Sequence, residues 1–528
     1  MLSPFFHPRL RVPVLWVLLV LVVTLAACTG PTPSIVVATS GASAAVVRGG
    51  SVDVTVSLTR LGGAADPVTL DIAGLPANVG ATFAPTVLSG ATLESTLTIE
   101  ADALAAEGTV TLTITGTMGT LSDEVDLSLE ITSLSVTGRV EGVLGRPLSG
   151  LSVSSQGVSD FTDTNGEFTL DGLAVPYDLA TSTAAVNGGL HVFEGMTSAT
   201  PVVSPFFSIL LLSPSSTTTI DGDLLGGAAL AANEIVVVCL EGVDVIVIGC
   251  DRLDAGDTAY AVTATWQAPG DAAVRVHALY FTLGGDGTPA AYQGYDTFET
   301  VISGGGPTTQ DLTFEPLAAH AMTATLVPAA GLTVTGTIGY ARFGPNLAMP
   351  LFQAVGPATD VDVLMPDLPD VTYDLLAVAS SAFGSSLAWL RGVGADAGTM
   401  TVSAPAELLA PTDGQTGVGL ATTFSASTDG GPQTFYWVPT AAGPQFALTT
   451  MRSSVTLPDP ALGGFAFPAG ADYDWMVAGI GGTDVDDAAV RGITEYYELL
   501  AYLDSGGPGV ASDGQFSLSD EPGFQFAP

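Results

Sequence analysis

The chain has 528 residues, 47% of them hydrophobic and only 12% charged, with 63 Gly and 34 Pro. That is enough apolar material for several cores joined by frequent turns, without the Glu-, Lys- and Gln-rich stretches of disordered chains. Its 53 acidic residues face 12 basic ones, all arginine, for a formal charge of −41. A chain without lysine cannot build a phosphate-cradling Gly-Lys-Ser/Thr loop, a lysine Schiff base or a Ser-Lys nucleophile pair. So acidic a field also excludes nucleic acid and disfavours anionic headgroups.

At the N-terminus, Arg9 and Arg11 precede residues 12–27, where Thr24 is the only polar side chain. Sixteen residues are short of the about 20 that a spanning helix needs, so the pattern fits a secretory signal. The run ends Leu25-Ala26-Ala27-Cys28, which resembles the lipobox of bacterial lipoproteins. The resemblance implies a signal peptide over 1–27, cleavage before Cys28 and lipid attachment to its thiol. The alternative is an ordinary signal with a chance cysteine. Thr29 follows where an Asp would mark inner-membrane retention, so outer-membrane or cell-surface display is the expectation. Residues 28–33 read as a Pro/Thr tether, and the membrane partner is reached through the lipidated N-terminus.

From Ser34 onward apolar residues alternate with polar ones, the period of a half-buried strand. In SVDVTVSL (51–58), Val52, Val54, Val56 and Leu58 share one face. TVTLTIT (109–115) and EVDLSLEI (124–131) repeat the scheme. The fold class is therefore all-β, with tandem β-sandwich domains in series. The first unit, 34–132, resembles bacterial immunoglobulin-like domains through Gly74-Leu75-Pro76, Phe83, Pro85 and the strands after Glu107-Gly108.

The second unit, 134–213, resembles the carboxypeptidase regulatory-like, transthyretin-type sandwich. Gly138-Arg139-Val140, Pro147-Leu148-Ser149-Gly150 and Thr162-Asp163-Thr164-Asn165-Gly166-Glu167-Phe168 carry that likeness. Asn165-Gly166 suits a hairpin turn, and the acids beside it lack the distal glutamate of a calcium loop.

Units three and four are placed at 216–318 and 319–403. The third holds Cys239 and Cys250, an even pair behind an export signal, which argues for a disulfide against two free thiols. Strands 235–240 and 245–249 are expected to form the hairpin that brings the sulfurs together. In the fourth, MPDLPDVTYDLLAV (365–378) echoes LDGLAVPYDLATS (170–182), a weak internal repeat of the transthyretin-type unit. The last unit, 405–528, resembles a fibronectin type III-like module through FYWV (435–438) and DYDWMVAGI (472–480), with Tyr473 as corner tyrosine. It departs from that family by a short helical insertion, 483–505, capped by Thr483 or Asp484 with Ile493, Tyr497, Leu500 and Leu503 on one face.

Little in the chain points to chemistry. His191, His277 and His320 lie far apart, without metal-ligand spacing, and read as exposed or hydrogen-bonded loop residues. No nucleophile elbow occurs. Asp484, Asp486 and Asp487, like Asp221 with Asp223 and Asp251 with Asp254 and Asp257, are weak candidates for calcium against a reading as caps and solvated turns. No other cofactor and no catalytic residue is assigned. Trp266, Trp389, Trp437 and Trp475 read as core residues. The expectation is a non-enzymatic, lipid-anchored envelope protein that reaches away from the membrane in a structural, adhesive or partner-presenting role. The alternative is a binding module for an extracellular glycan or another envelope component, and an unrecognised hydrolase ranks third.

Overall fold

A computed structural model describes residues 32–142, 146–183, 188–206, 216–243, 245, 247–266, 270–304, 306–344, 347–427, 430–441, 443–465, 470–490, 514–519 and 523–526. The lipobox residues and most of the helical insertion lie outside these. Two compact units divide at Leu134 and Ser135.

In the first unit two sheets face each other. One runs Ser34–Thr39, Ser51–Leu61, Glu94–Ala101, Val79–Ala84, and the other Ser43–Val47, Leu121–Thr132, Gly108–Met118, Val68–Ala73, Val87–Leu88. The chain changes sheet at residues 40–42, where Ser40 N–H bonds Thr55 and Ser128 N–H bonds Ala42. Period-two alternation drives this arrangement: Val54, Val56 and Leu58 turn inward against Leu97, Ile99, Leu112, Ile114, Leu127 and Leu129. Gly74 stands where a Cβ would sit 2.7 Å from the Thr111 carbonyl, at a φ of +87°. Only glycine allows that strand-to-loop crossing.

The second unit is also all-β, built of further tandem sandwiches. One four-stranded pair holds residues 216–309, with Val247–Ile248, Ala259–Trp266, Ser216–Asp223 and Thr308–Thr309 facing Cys250–Leu253, Glu234–Gly242, Ala272–Leu283 and Pro289–Ile302. Here the expected hairpin is corrected. Val247–Ile248 pairs with Ala259–Trp266 on the opposite sheet, burying Val247 with Leu240 and Val262. The partner of Glu234–Gly242 is instead Cys250–Leu253, which sets Cys239 directly opposite Cys250. Their disulfide closes over a Cα–Cα distance of 4.1 Å.

A single sheet then threads three separate stretches of chain. Its order is Val158–Phe161, Ser152–Ser155, Tyr177–Thr183, Gly189–Met196, Gln445–Thr450, Gln433–Pro439, Asp472–Ile480, Gly514–Ser519, Gly384–Val393, Val371–Ser381, Thr333–Phe343, Leu347–Val355. The C-terminal stretch thus lies between two earlier ones. It pairs in parallel with Gly189–Met196 on one side and antiparallel with Gly384–Val393 on the other. Sandwiches that follow one another along the chain do not follow the same order in space.

Three-stranded sheets complete the layers: Asp360–Pro366, Ala319–Pro328, Asp396–Val402, and Leu408–Ala410, Thr423–Ala426, Ser454–Thr456. The last packs Phe424 edge-on to Trp437 and Trp475, at centroid distances of 5.3 and 5.2 Å. Trp266 and Trp389 are likewise buried. Tyr473 is buried, but its hydroxyl donates to the Pro444 carbonyl at 3.1 Å, 29 residues upstream. A corner tyrosine bonds only a few residues back, so Tyr473 ties the turn before Gln445–Thr450 and not a strand corner.

Candidate binding cleft

A cleft of about 630 Å³ opens where Gly384–Val393 and Asp396–Val402 meet the end of Asp472–Ile480 and the start of the helix at 485–490. A second hollow of about 300 Å³ shares Ser403, Gly479 and Ser517 with it and continues along the 403–406 linker. Among its lining residues Leu387, Ile480, Phe516 and Ser517 are buried, while Thr399, Thr401 and Thr483 are exposed. No arginine lines the cleft among the described residues. Exposed hydroxyls beside apolar side chains suit a neutral, hydrogen-bonding ligand, and the described lining holds no cation to pair with a phosphate.

Asp487 is the one carboxylate of the lining. It is spent locally, accepting from Thr483 Oγ1 at 2.9 Å and Thr483 N–H at 3.3 Å. Asp484 caps the helix by accepting from Asp487 N–H at 2.9 Å. Asp486 faces elsewhere and accepts from Thr197 N–H and Oγ1 at 2.9 and 2.8 Å and from Ser198 N–H at 3.2 Å. The three candidate calcium ligands therefore serve three separate hydrogen-bonding tasks.

Other acids behave similarly. Asp221 accepts from Thr309 Oγ1, Asp251 from Ala261 N–H, and Asp257 from Asp254 N–H. Asp163 accepts from Asn165 and Glu167 N–H at 2.8 and 2.9 Å. The turn at Asn165-Gly166 is not the expected hairpin, because Val158–Phe161 and Glu167–Leu173 on either side of it belong to different sheets and only Gly166 has positive φ. Among the described residues no group of three or more His, Cys, Asp or Glu is arranged to hold a metal ion.

The histidines depart from the loop reading, since all three sit on strands and two are buried. His191 stacks on Phe193 at 4.0 Å and bonds Thr449 Oγ1 at 2.8 Å; burial pushes its pKa down to about 3. His277 lies between Tyr295 Oη at 2.7 Å and Glu241 at 3.2 Å, with Phe343 against its ring at 3.9 Å. Burial lowers its pKa, and Glu241 partly opposes this. Arg275 braces the same Glu241 at 3.1 Å and Glu299 at 2.6 Å. His320 is half-exposed and bonds Asp367 at 2.6 Å.

A Tyr-His-Glu chain has the connectivity of a relay, but burial raises the Tyr295 pKa and leaves the phenol unactivated. What the His277 group does is join Ala272–Leu283 to Phe343 on a neighbouring sandwich. Sequence reasoning missed both buried histidines. The signal was present in their flanks, because GLHVF and VRVHALYF place each His in a nearly unbroken apolar run.

No protein-family model and no curated protein matches the chain. Solved structures overlap it only loosely. Domains 5–6 of the S-layer protein SbsC share 14% identity over 53% of this chain and 100% of that one, at a TM-score of 0.15. An ICAM-5 ectodomain fragment shares 10% over 86% and 96%, at 0.14. The pilus adhesin SpaC from Lactobacillus rhamnosus GG shares 11% over 64% and 53%, at 0.14. Scores this low carry no argument about role, and the all-β assignment rests on the strands themselves.

Proposed function

We propose that this chain is a lipid-anchored protein of the cell envelope, displayed at the outer membrane or cell surface, whose role is structural, adhesive or partner-presenting and not catalytic. The observation that supports it most is the sheet shared by three stretches of chain. Ladder hydrogen bonds at Gly189–Met196 with Gln445–Thr450, and at Gly384–Val393 with Gly514–Ser519, tie those stretches into one body. A body held this way transmits position and load, where sandwiches on linkers would flex independently.

The anchor reading rests on the sequence of residues 1–33, where a signal-like apolar run ends in Leu25-Ala26-Ala27-Cys28 before a Pro/Thr tether. Phase partition of the full-length protein tests it. The native protein is expected in the detergent phase and open to external protease on intact cells; Cys28→Ser is expected in the aqueous phase. A Cys28→Ser protein that stays with detergent overturns the anchor.

The cleft favours a second reading, binding of a neutral envelope glycan. A glycan array compares the native chain with Thr401→Arg, which places a bulky cation at the rim. Equal binding by both, or binding by neither, rejects the cleft as the site.

A further inference from the structure

The ring of His191 is enclosed by Phe193 at 4.0 Å and by Phe206 edge-on at 5.8 Å. Phe206 N–H points at its Nδ1 from 3.3 Å. A backbone N–H can only donate, so Nδ1 must accept and the ring proton sits on Nε2. Nε2–H then donates to Thr449 Oγ1 at 2.8 Å, and that hydroxyl bonds Thr434 Oγ1 at 2.7 Å. His191 and Thr449 lie on the two strands that pair in parallel over Gly189–Phe193 and Gln445–Thr449. One neutral tautomer therefore spans the seam between an early sandwich and the C-terminal one.

We propose that this seam is an acid-sensitive joint: a proton on His191 Nδ1 sets two donors face to face and parts the His191 strand from the Thr449 strand while each sandwich stays folded. The charged groups around the seam are already committed. On the His191 strand Glu194 is bonded to Arg452 and to Thr450 Oγ1. Asp178 on the next strand accepts from Gly195, Glu141 pairs with Arg139, and Asp486 accepts from Thr197 and Ser198. The Gln445–Thr450 strand carries no ionisable side chain, and Gln433–Pro439 offers only Tyr436, packed on Phe206 at 5.7 Å. Burial is the cause of the lowered His191 pKa. His277 supplies the contrast, because Glu241 at 3.2 Å can hold its charged form.

Hydrogen exchange on the full-length chain, corrected for intrinsic rates, tests the joint from pH 6.5 to 3.5. Peptides covering 189–193 and 445–449 are expected to open about tenfold more per pH unit, the slope of one proton taken up on opening. Strands Val79–Ala84 and Gly108–Met118, which carry no ionisable side chain, serve as references and are expected to stay flat. His191→Gln is expected to abolish the slope at the seam. A seam that tracks the references, or a slope that survives in His191→Gln, overturns the proposal. Should that variant not fold, imidazole nitrogen spectra of the native chain decide. A neutral Nε2–H ring at pH 4.5 supports the joint, and ordinary titration near pH 6.5 rejects it.

Discussion

The Asp374 carboxylate accepts a hydrogen bond from Gly392 N–H on the adjacent strand at 3.2 Å. Asp178 does the same for Gly195 at 2.9 Å. In both places the register slips just after the tyrosine, between Tyr177 and Leu179 and between Tyr373 and Leu375. Both glycines carry positive φ, 82° and 60°. The segments VPYDLATS and VTYDLLAV therefore build one and the same bulge, with Asp satisfying the N–H that the slipped ladder leaves over. Their difference lies in charge: Asp374 also pairs with Arg342, both side chains 8% exposed, and has Arg391 at 3.8 Å.

That difference predicts unequal mutants. Asp178→Asn gives up part of a charge-assisted hydrogen bond, about 1–2 kcal/mol. Asp374→Asn also strands a buried guanidinium, and removing one partner of a buried pair costs about 3–5 kcal/mol. Urea midpoints should separate the two variants clearly. Equal midpoints would show that Arg342 draws nothing from Asp374.

How far the sequence reveals this fold is set by how local each determinant is. Alternation inside SVDVTVSL fixes a strand and its inner face, and the Tyr-Asp-Leu echo marks a bulge built from near neighbours. Pairing of Gly189–Met196 with Gln445–Thr450 has no turn between them to announce it. Its only trace is that GLHVF and FALTT are buried on both faces, a pattern that Glu234–Gly242 and Gln433–Pro439 share, so it names no partner. The cleft is legible for the same reason only afterwards, since its walls meet through that long-range sheet. Cys239 and Cys250 sit between these extremes: the pair is readable from the sequence, but the strand that carries Cys250 is not, because the chain crosses sheets just before it.

The disulfide should be structural. Closing a loop of 11 residues restricts the unfolded chain by roughly 2–3 kcal/mol. The double variant Cys239→Ala/Cys250→Ala is expected to unfold earlier by that amount. Peptide mapping without reductant should recover the two cysteines joined. Free thiols in the native chain would remove the bridge from the account.

Acidification should cost stability through His191 with a definite sign. Its folded pKa of about 3 lies below the 6.5 of an unperturbed histidine, so the unfolded chain binds the proton first. The contribution is fully present above about pH 6.5 and is lost as pH falls toward 3, at roughly 1.4 kcal/mol per pH unit. His277 acts in the same direction, weakened by Glu241. Thermal melts from pH 7 to 4 should therefore show a shallower decline for His191→Gln than for the native chain. Parallel declines would mean that His191 already titrates normally in the fold.

Asp486 gives the clearest division between cap and cation site. Its two oxygens accept from two backbone N–H groups and one hydroxyl at Thr197 and Ser198, tying the helix start to the turn after Gly189–Met196. A carboxylate filled in this way has few lone pairs left for calcium, which takes about 6–8 oxygen ligands. Asp486→Ala should then destabilise the chain by about 1–3 kcal/mol through the N–H groups it orphans. Chelator should leave the native melting temperature where it was. If calcium instead raises that temperature, and Asp486→Ala abolishes the rise, the carboxylate is a metal ligand and the hydrogen-bonding role is secondary.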